Sequence, residues 1–173
     1  MEELLRIHPS SHDDTSRFFY QSLLHEARGK ELNPLQLKYG ASVLAHFAET
    51  SCVTENGIPT LRDLSDSFDW YVIDNGVRSS PDLLEYAGAQ ALFLAGFLRD
   101  QTASRGRHDL GWYYQLGVSF YGRVSFYTQD SQPARSKFFL GISRVFPALA
   151  DVFRELQRNF LQNQQNHLLI RPQ

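Results

Sequence analysis

Cysteine is almost missing from this sequence. The 173-residue chain has one, Cys52, so no internal disulfide can form and the fold must rest on its core. A lone cysteine also fits a reducing compartment. Charge of one sign is missing too: 17 Lys and Arg against 19 Asp and Glu give a net charge of −2. That balance argues against whole-chain steering to phosphate, so no nucleic-acid partner is expected. There is no long hydrophobic run. The longest apolar stretch, Tyr86 to Leu98, is interrupted by Gln90 and falls short of the ~20 residues that span a bilayer. The start of the chain, Met1 to Arg6, is acidic and lacks the apolar run of a secretory signal. The expectation is a cytoplasmic protein with no membrane partner.

Chemistry-bearing motifs are missing as well. There is no Gly-x-Ser-x-Gly elbow, no Walker loop and no dinucleotide fingerprint. No Glu has a His three residues later, as a di-iron bundle requires, and His46 precedes Glu49 in the reverse order. No catalytic residue, metal or cofactor is therefore expected. His12-Asp13 and His108-Asp109 suggest phosphohydrolase ligand pairs, with His46 and Asp151 as the further ligands. Nothing binds these into a motif, and loop and cap roles account for them. Cys52 reads as a small core residue.

What is present is apolar and aromatic. At 42% hydrophobic and 21% charged the chain is globular. It carries 23 aromatic residues (13 Phe, 8 Tyr, 2 Trp). Their spacing is helical. Phe19, Tyr20, Leu23, Leu24 and Ala27 mark a first helix after Asp14 or Thr15 as cap, ended by Gly29. Asn33-Pro34, with Gln36 as capping-box partner, opens a second helix to about Cys52, with Leu35, Tyr39, Val43, Leu44 and Phe47 as its apolar face. Thr60 with Asp63 opens a third, carrying Leu61, Leu64, Phe68, Tyr71 and Val72 to Asn75-Gly76. Ser80-Pro81-Asp82 opens a fourth, at about 81–100. That helix is apolar on nearly every side, so it should be buried at the centre. Ala87, Ala91 and Ala95 lie four apart beside Gly88 and Gly96, a small-residue ridge on which neighbours can close.

A fifth helix is predicted from about Asp109 to Tyr127. Seven of the sixteen residues Trp112–Tyr127 are aromatic. Tyr113, Leu116, Phe120, Val124 and Tyr127 form its stripe, flanked by Tyr114, Val118 and Tyr121. Aromatics also favour strands, but the three-and-four spacing selects helix. Gln132-Pro133 opens a sixth helix to about Gln164, with a kink or break at Pro147. The expected organisation is a single all-α domain over 1–165, a bundle of about six helices, followed by a flexible tail at 166–173.

Residues 84–121 resemble a family of uncharacterised bacterial helical proteins. The family pattern is a Leu-Gly-Asp-x-Ala-Leu-Phe-x-x-Gly-Phe-Phe run followed by Asp-x-x-Tyr-Tyr-x-x-x-Gly-x-x-x-Tyr. Here Ala87-Gly88-Ala89-Gln90-Ala91-Leu92-Phe93-Leu94-Ala95-Gly96-Phe97-Leu98 matches the first, and the segment from Asp109 to Tyr121 matches the second. Ala89 replaces the family's Asp, and Trp112 its first Tyr. The resemblance implies an all-helical bacterial protein and brings no site.

The aromatic segment has two readings beyond plain core. Trp112, Tyr113, Tyr114, Phe120 and Tyr121, with His46, are the candidate residues for a partner interface or a tyrosine-lined pocket. The favoured expectation is a non-catalytic interaction or regulatory protein that binds a protein partner, itself included as a homodimer, through aromatic faces of the fifth and sixth helices. The alternative is a small-molecule-binding protein or enzyme. Arg105, Arg107 and His108 form a candidate anion patch. Asp63, Asp66, Asp69 and Asp74 make a wet acidic face on the third helix.

Overall fold

The computed structural model describes residues 13–53, 80–100 and 110–169. Among these residues there are five α-helices and no strand: α1 (Asp13–Glu26), α2 (Pro34–Val53), α3 (Pro81–Ala95), α4 (Leu110–Thr128) and α5 (Pro133–Leu169). The predicted third helix at 60–75, with its acidic face, lies outside the described residues. So do residues 1–12 and the loop bearing Arg105, Arg107, His108 and Asp109. The side chain of Cys52, within α2, is also outside the description.

The caps differ in a physically useful way. Asn33 and Gln36 make the expected reciprocal pair. The Asn33 amide donates to Gln36 Oε1 and the Gln36 amide to Asn33 Oδ1, both at 2.9 Å. Ser80 precedes Pro81 as expected, yet its hydroxyl makes no capping hydrogen bond. Asp14 and Thr15 fall inside α1 instead of capping it, because the helix already includes Asp13.

Helix α3 is the buried element. Every residue from Ala87 to Ala95 is buried. It packs on α2 through the stacked rings of Phe47 and Phe93, 4.7 Å apart. It packs on α4, where the Tyr121 ring lies against Gly88, and on α5, where Ala150 and Phe153 lie against Gly96. α4 and α5 form an antiparallel hairpin, with Ser125 beside Ser136 and Tyr114 beside Phe146. α3 runs parallel to α5, since Glu85 meets Arg135 and Gly96 meets Ala150. α1 covers the seam between α2 and α5. There Phe18 stacks on Phe160 and Asn159 donates to Glu26 Oε1 at 2.7 Å.

Two boundaries depart from expectation. The central helix ends at Ala95, not near 100, and a turn follows over 96–98. A Cβ on Gly96 would sit 2.6 Å from Phe153 Cβ and 2.8 Å from the Ala150 carbonyl, so α5 presses on the backbone there. The Leu98 amide then reaches back to Phe93 O at 3.0 Å instead of to its helical partner. Pro147 does not break the last helix. It is exposed, and α5 runs through it to Leu169, past the expected start of the tail.

Candidate functional site

A cluster of charged and phenolic groups gathers where α3 and α5 begin and α4 ends. Asp82 and Glu85, three residues apart, share one side of the first turns of α3. Arg135, in the first turn of α5, reaches both from one nitrogen, 2.6 Å to Asp82 Oδ1 and 2.7 Å to Glu85 Oε2. Its guanidinium lies 5.8 Å over the Phe139 ring. Burial works against the Arg135 cation, and the two carboxylates outweigh it, so its pKa is raised. Phe139 in turn stacks on Tyr121 at 5.6 Å and meets Tyr39 edge-on at 5.5 Å. The Tyr39 and Tyr121 hydroxyls are 3.1 Å apart in the core. Burial raises both phenols above their ordinary range, and Glu85 adds to the rise in each. These hydroxyls stay protonated and paired, and the cation is held by two anions. Chemically this is a clamp on helix ends, with no group poised to attack or to exchange a proton near neutrality.

The residues proposed as a pocket do not converge. Tyr113, Phe120 and Tyr121 are core residues, which removes them from any interface surface of the folded chain. Tyr121 belongs to the clamp. His46 is half-buried on α2, edge-on to Phe47 at 5.1 Å and to Tyr86 of α3 at 5.7 Å. Tyr114 packs edge-on to Phe146 at 5.8 Å, and its hydroxyl lies 3.5 Å from Asp151 Oδ1. That carboxylate takes a 2.9 Å hydrogen bond from Arg99, so Asp151 is occupied by an ion pair. Trp112 is half-buried, its ring 5.3 Å from that of Tyr113. Nearby, Asp100 pairs with Arg154 at 3.0 Å and Arg158 at 3.2 Å. Burial alone would raise the Asp100 pKa, but the two guanidinium groups hold it below the usual carboxylate range. Among the described residues no three of His, Cys, Asp and Glu gather as a metal site requires. None of their helices is long and apolar enough to cross a membrane.

Tyr113 stands apart from the other phenols. Its side chain is 2% exposed and its hydroxyl has no hydrogen-bond partner, a condition shared among the described residues only by Ser16. Burial pushes its pKa up to about 12. Removing such a hydroxyl removes a desolvation cost. Tyr113→Phe is therefore expected to stabilise the fold by up to about 1 kcal/mol in urea unfolding. Tyr121→Phe, which strands the Tyr39 hydroxyl, should cost about 1 kcal/mol. Tyr113 also sets an alkaline limit. Its raised folded-state pKa means stability is complete below pH 10 and is lost between about 10 and 12, where only the unfolded chain ionises. Urea melts should show roughly 2–3 kcal/mol less stability at pH 12 from this group alone, and Tyr113→Phe should flatten that slope.

The outward side of α4 is poorer in charge than the outer surfaces of α1 and α5. On it Val118 is 38% exposed and Phe126 63%. The helix carries one charged residue in nineteen, Arg123. The outer surfaces of α1 and α5, by contrast, are studded with charge, as solvated helix faces are. Gly122 lies between Val118 and Phe126, one turn from each. A Cβ there would meet nothing within 4 Å. Glycine inside a helix costs roughly 0.5–1 kcal/mol relative to alanine. Gly88 and Gly117 each have a ring pressed on them, which accounts for their lack of a side chain. Gly122 has no such neighbour among the described residues. Sequence reading placed Val118 only as a flank and left Phe126 and Gly122 out of the candidate site. The signal available was the sparse charge of the segment. Comparison of the chain with protein-family models, with curated proteins and with solved structures finds no match.

Proposed function

We propose that this chain is a non-catalytic helical interaction protein that docks a protein partner through the outer face of α4. The observation that carries the reading is Phe126, 63% exposed on a helix with a single charge. An exposed aromatic on a face poor in charge matches the composition of interface cores, where aromatics are enriched and charges depleted. The clamp around Arg135 supports the same reading from the other side. It engages Asp82, Glu85 and Arg135 in holding helix ends together.

A photo-reactive side chain placed at Val118 in the protein's native cells tests this. A covalent adduct of discrete mass is expected, and Phe126→Glu should abolish it. The same probe at Arg144, exposed on charged α5, should give none. Absence of any adduct from position 118 would sink the reading. The second reading, a small-molecule site, is favoured by the unpartnered Tyr113 hydroxyl alone. A ligand held there would make Tyr113→Phe lower the melting temperature of the cell-purified protein, the opposite sign to that given above.

A further inference from the structure

The geometry points to a second copy of this chain as the partner on α4, crossing antiparallel about a two-fold axis at Gly122. This rests on the docking reading just proposed and commits it to one occupant. Three features of the face carry it. The first is the glycine itself: its missing Cβ meets nothing within 4 Å among the described residues, and leaves a notch at the middle of the exposed row. A helix laid across that notch can bring its backbone close.

The second is spacing. Val118 and Phe126 stand four residues either side of Gly122, on the same i±4 ridge. Two such ridges crossing head-to-tail at Gly122 place each Phe126 against the partner's Val118. A large ring then meets a small side chain twice, which is the self-complementarity an isologous contact requires. The third is charge. A face bearing net charge repels its own copy, whereas Val118, Ser119, Gly122 and Phe126 carry none. Arg123 is half-buried at the flank of the row.

One helix face is small against the roughly 800 Å² per partner that stable complexes bury. Self-association should accordingly be concentration-dependent and is best read by sedimentation of the full chain over a wide range. A monomer–dimer equilibrium is expected, and Phe126→Glu should raise its dissociation constant by at least about tenfold. Circular dichroism should show that variant to be folded, since the side chain is exposed. The axis is tested by oxidation in a Cys52→Ser background. Gly122→Cys should link to itself, because only Cα atoms within about 7 Å can be bridged. Val118→Cys should not link to itself, but should link to Phe126→Cys when the two are mixed.

A monomer at every concentration overturns the inference, as does a dimer indifferent to Phe126→Glu. Self-linking of Val118→Cys without linking of Gly122→Cys overturns the antiparallel axis. A strict monomer that still gives the Phe126-dependent adduct in cells removes the second copy while leaving the docking face in place. Loss of both removes the two together.

Discussion

Arg135→Met should cost about 3 kcal/mol or more of unfolding free energy, the largest effect of any single charge in the described chain. The guanidinium is shared by Asp82 and Glu85, and the Glu85 side chain is 11% exposed. Taking the cation away leaves a carboxylate with little access to water, close enough to Tyr39 to raise its phenol. Asp82→Ala should cost less, because Asp82 is more exposed and Arg135 keeps its other partner. The informative variant is the pair Arg135→Met with Glu85→Met. Apolar replacements of both partners remove both desolvation terms, so the double variant should recover most of the loss. Chemical denaturation of the four proteins in the cycle gives the coupling. A coupling below about 0.5 kcal/mol would mean that the clamp is spectator to the fold.

The same clamp marks where sequence reading stops. Asn33 and Gln36 announce their hydrogen bonds because both partners lie within one turn, and the structure makes the pair as the spacing requires. The burial of α3 is legible for a similar reason, since a helix apolar all round has no face to give to water. Arg135 and Glu85 are 50 residues apart. With 17 basic and 19 acidic residues in the chain, nothing local selects that pair. Asp82-x-x-Glu85 at the mouth of an otherwise apolar helix was the available hint, and its meaning depends on where α5 begins. Ser80 shows the same limit at a cap, where residue type alone did not secure the hydrogen bond.

The aromatic segment divides likewise. Its helical period is readable, and α4 is a helix over that segment. Which rings face inward is not, because the inner side is set by the position of α3. Tyr113, Phe120 and Val124 keep to the core as the stripe predicts. Tyr127 continues their phase but is exposed, since it lies in the last turn of α4, beside the first turn of α3, where the covering helix runs out. The aromatic face of the last helix, expected to be offered to a partner, is instead spent on the core by Phe139, Phe146 and Phe153.

Phe146 gives the second large effect. It is wholly buried and touches Tyr114 and Tyr121 with its ring. Its ring also fills the space that a side chain on Gly117 would take. Phe146→Ala should cost about 3–5 kcal/mol, the range for a buried ring removed from a packed core. Gly117→Ala should cost about 1–3 kcal/mol by itself, because the new methyl collides with the ring and α4 must move off α5. The two changes share one volume, so their costs cannot add. In the Phe146→Ala background Gly117→Ala should be close to neutral, with helix propensity now favouring alanine and the cavity partly filled. Thermal or urea unfolding of the four proteins reads this directly. Full additivity would mean that the Phe146 ring does not occupy the Gly117 notch, and that the close approach of α4 to α5 is held by other contacts.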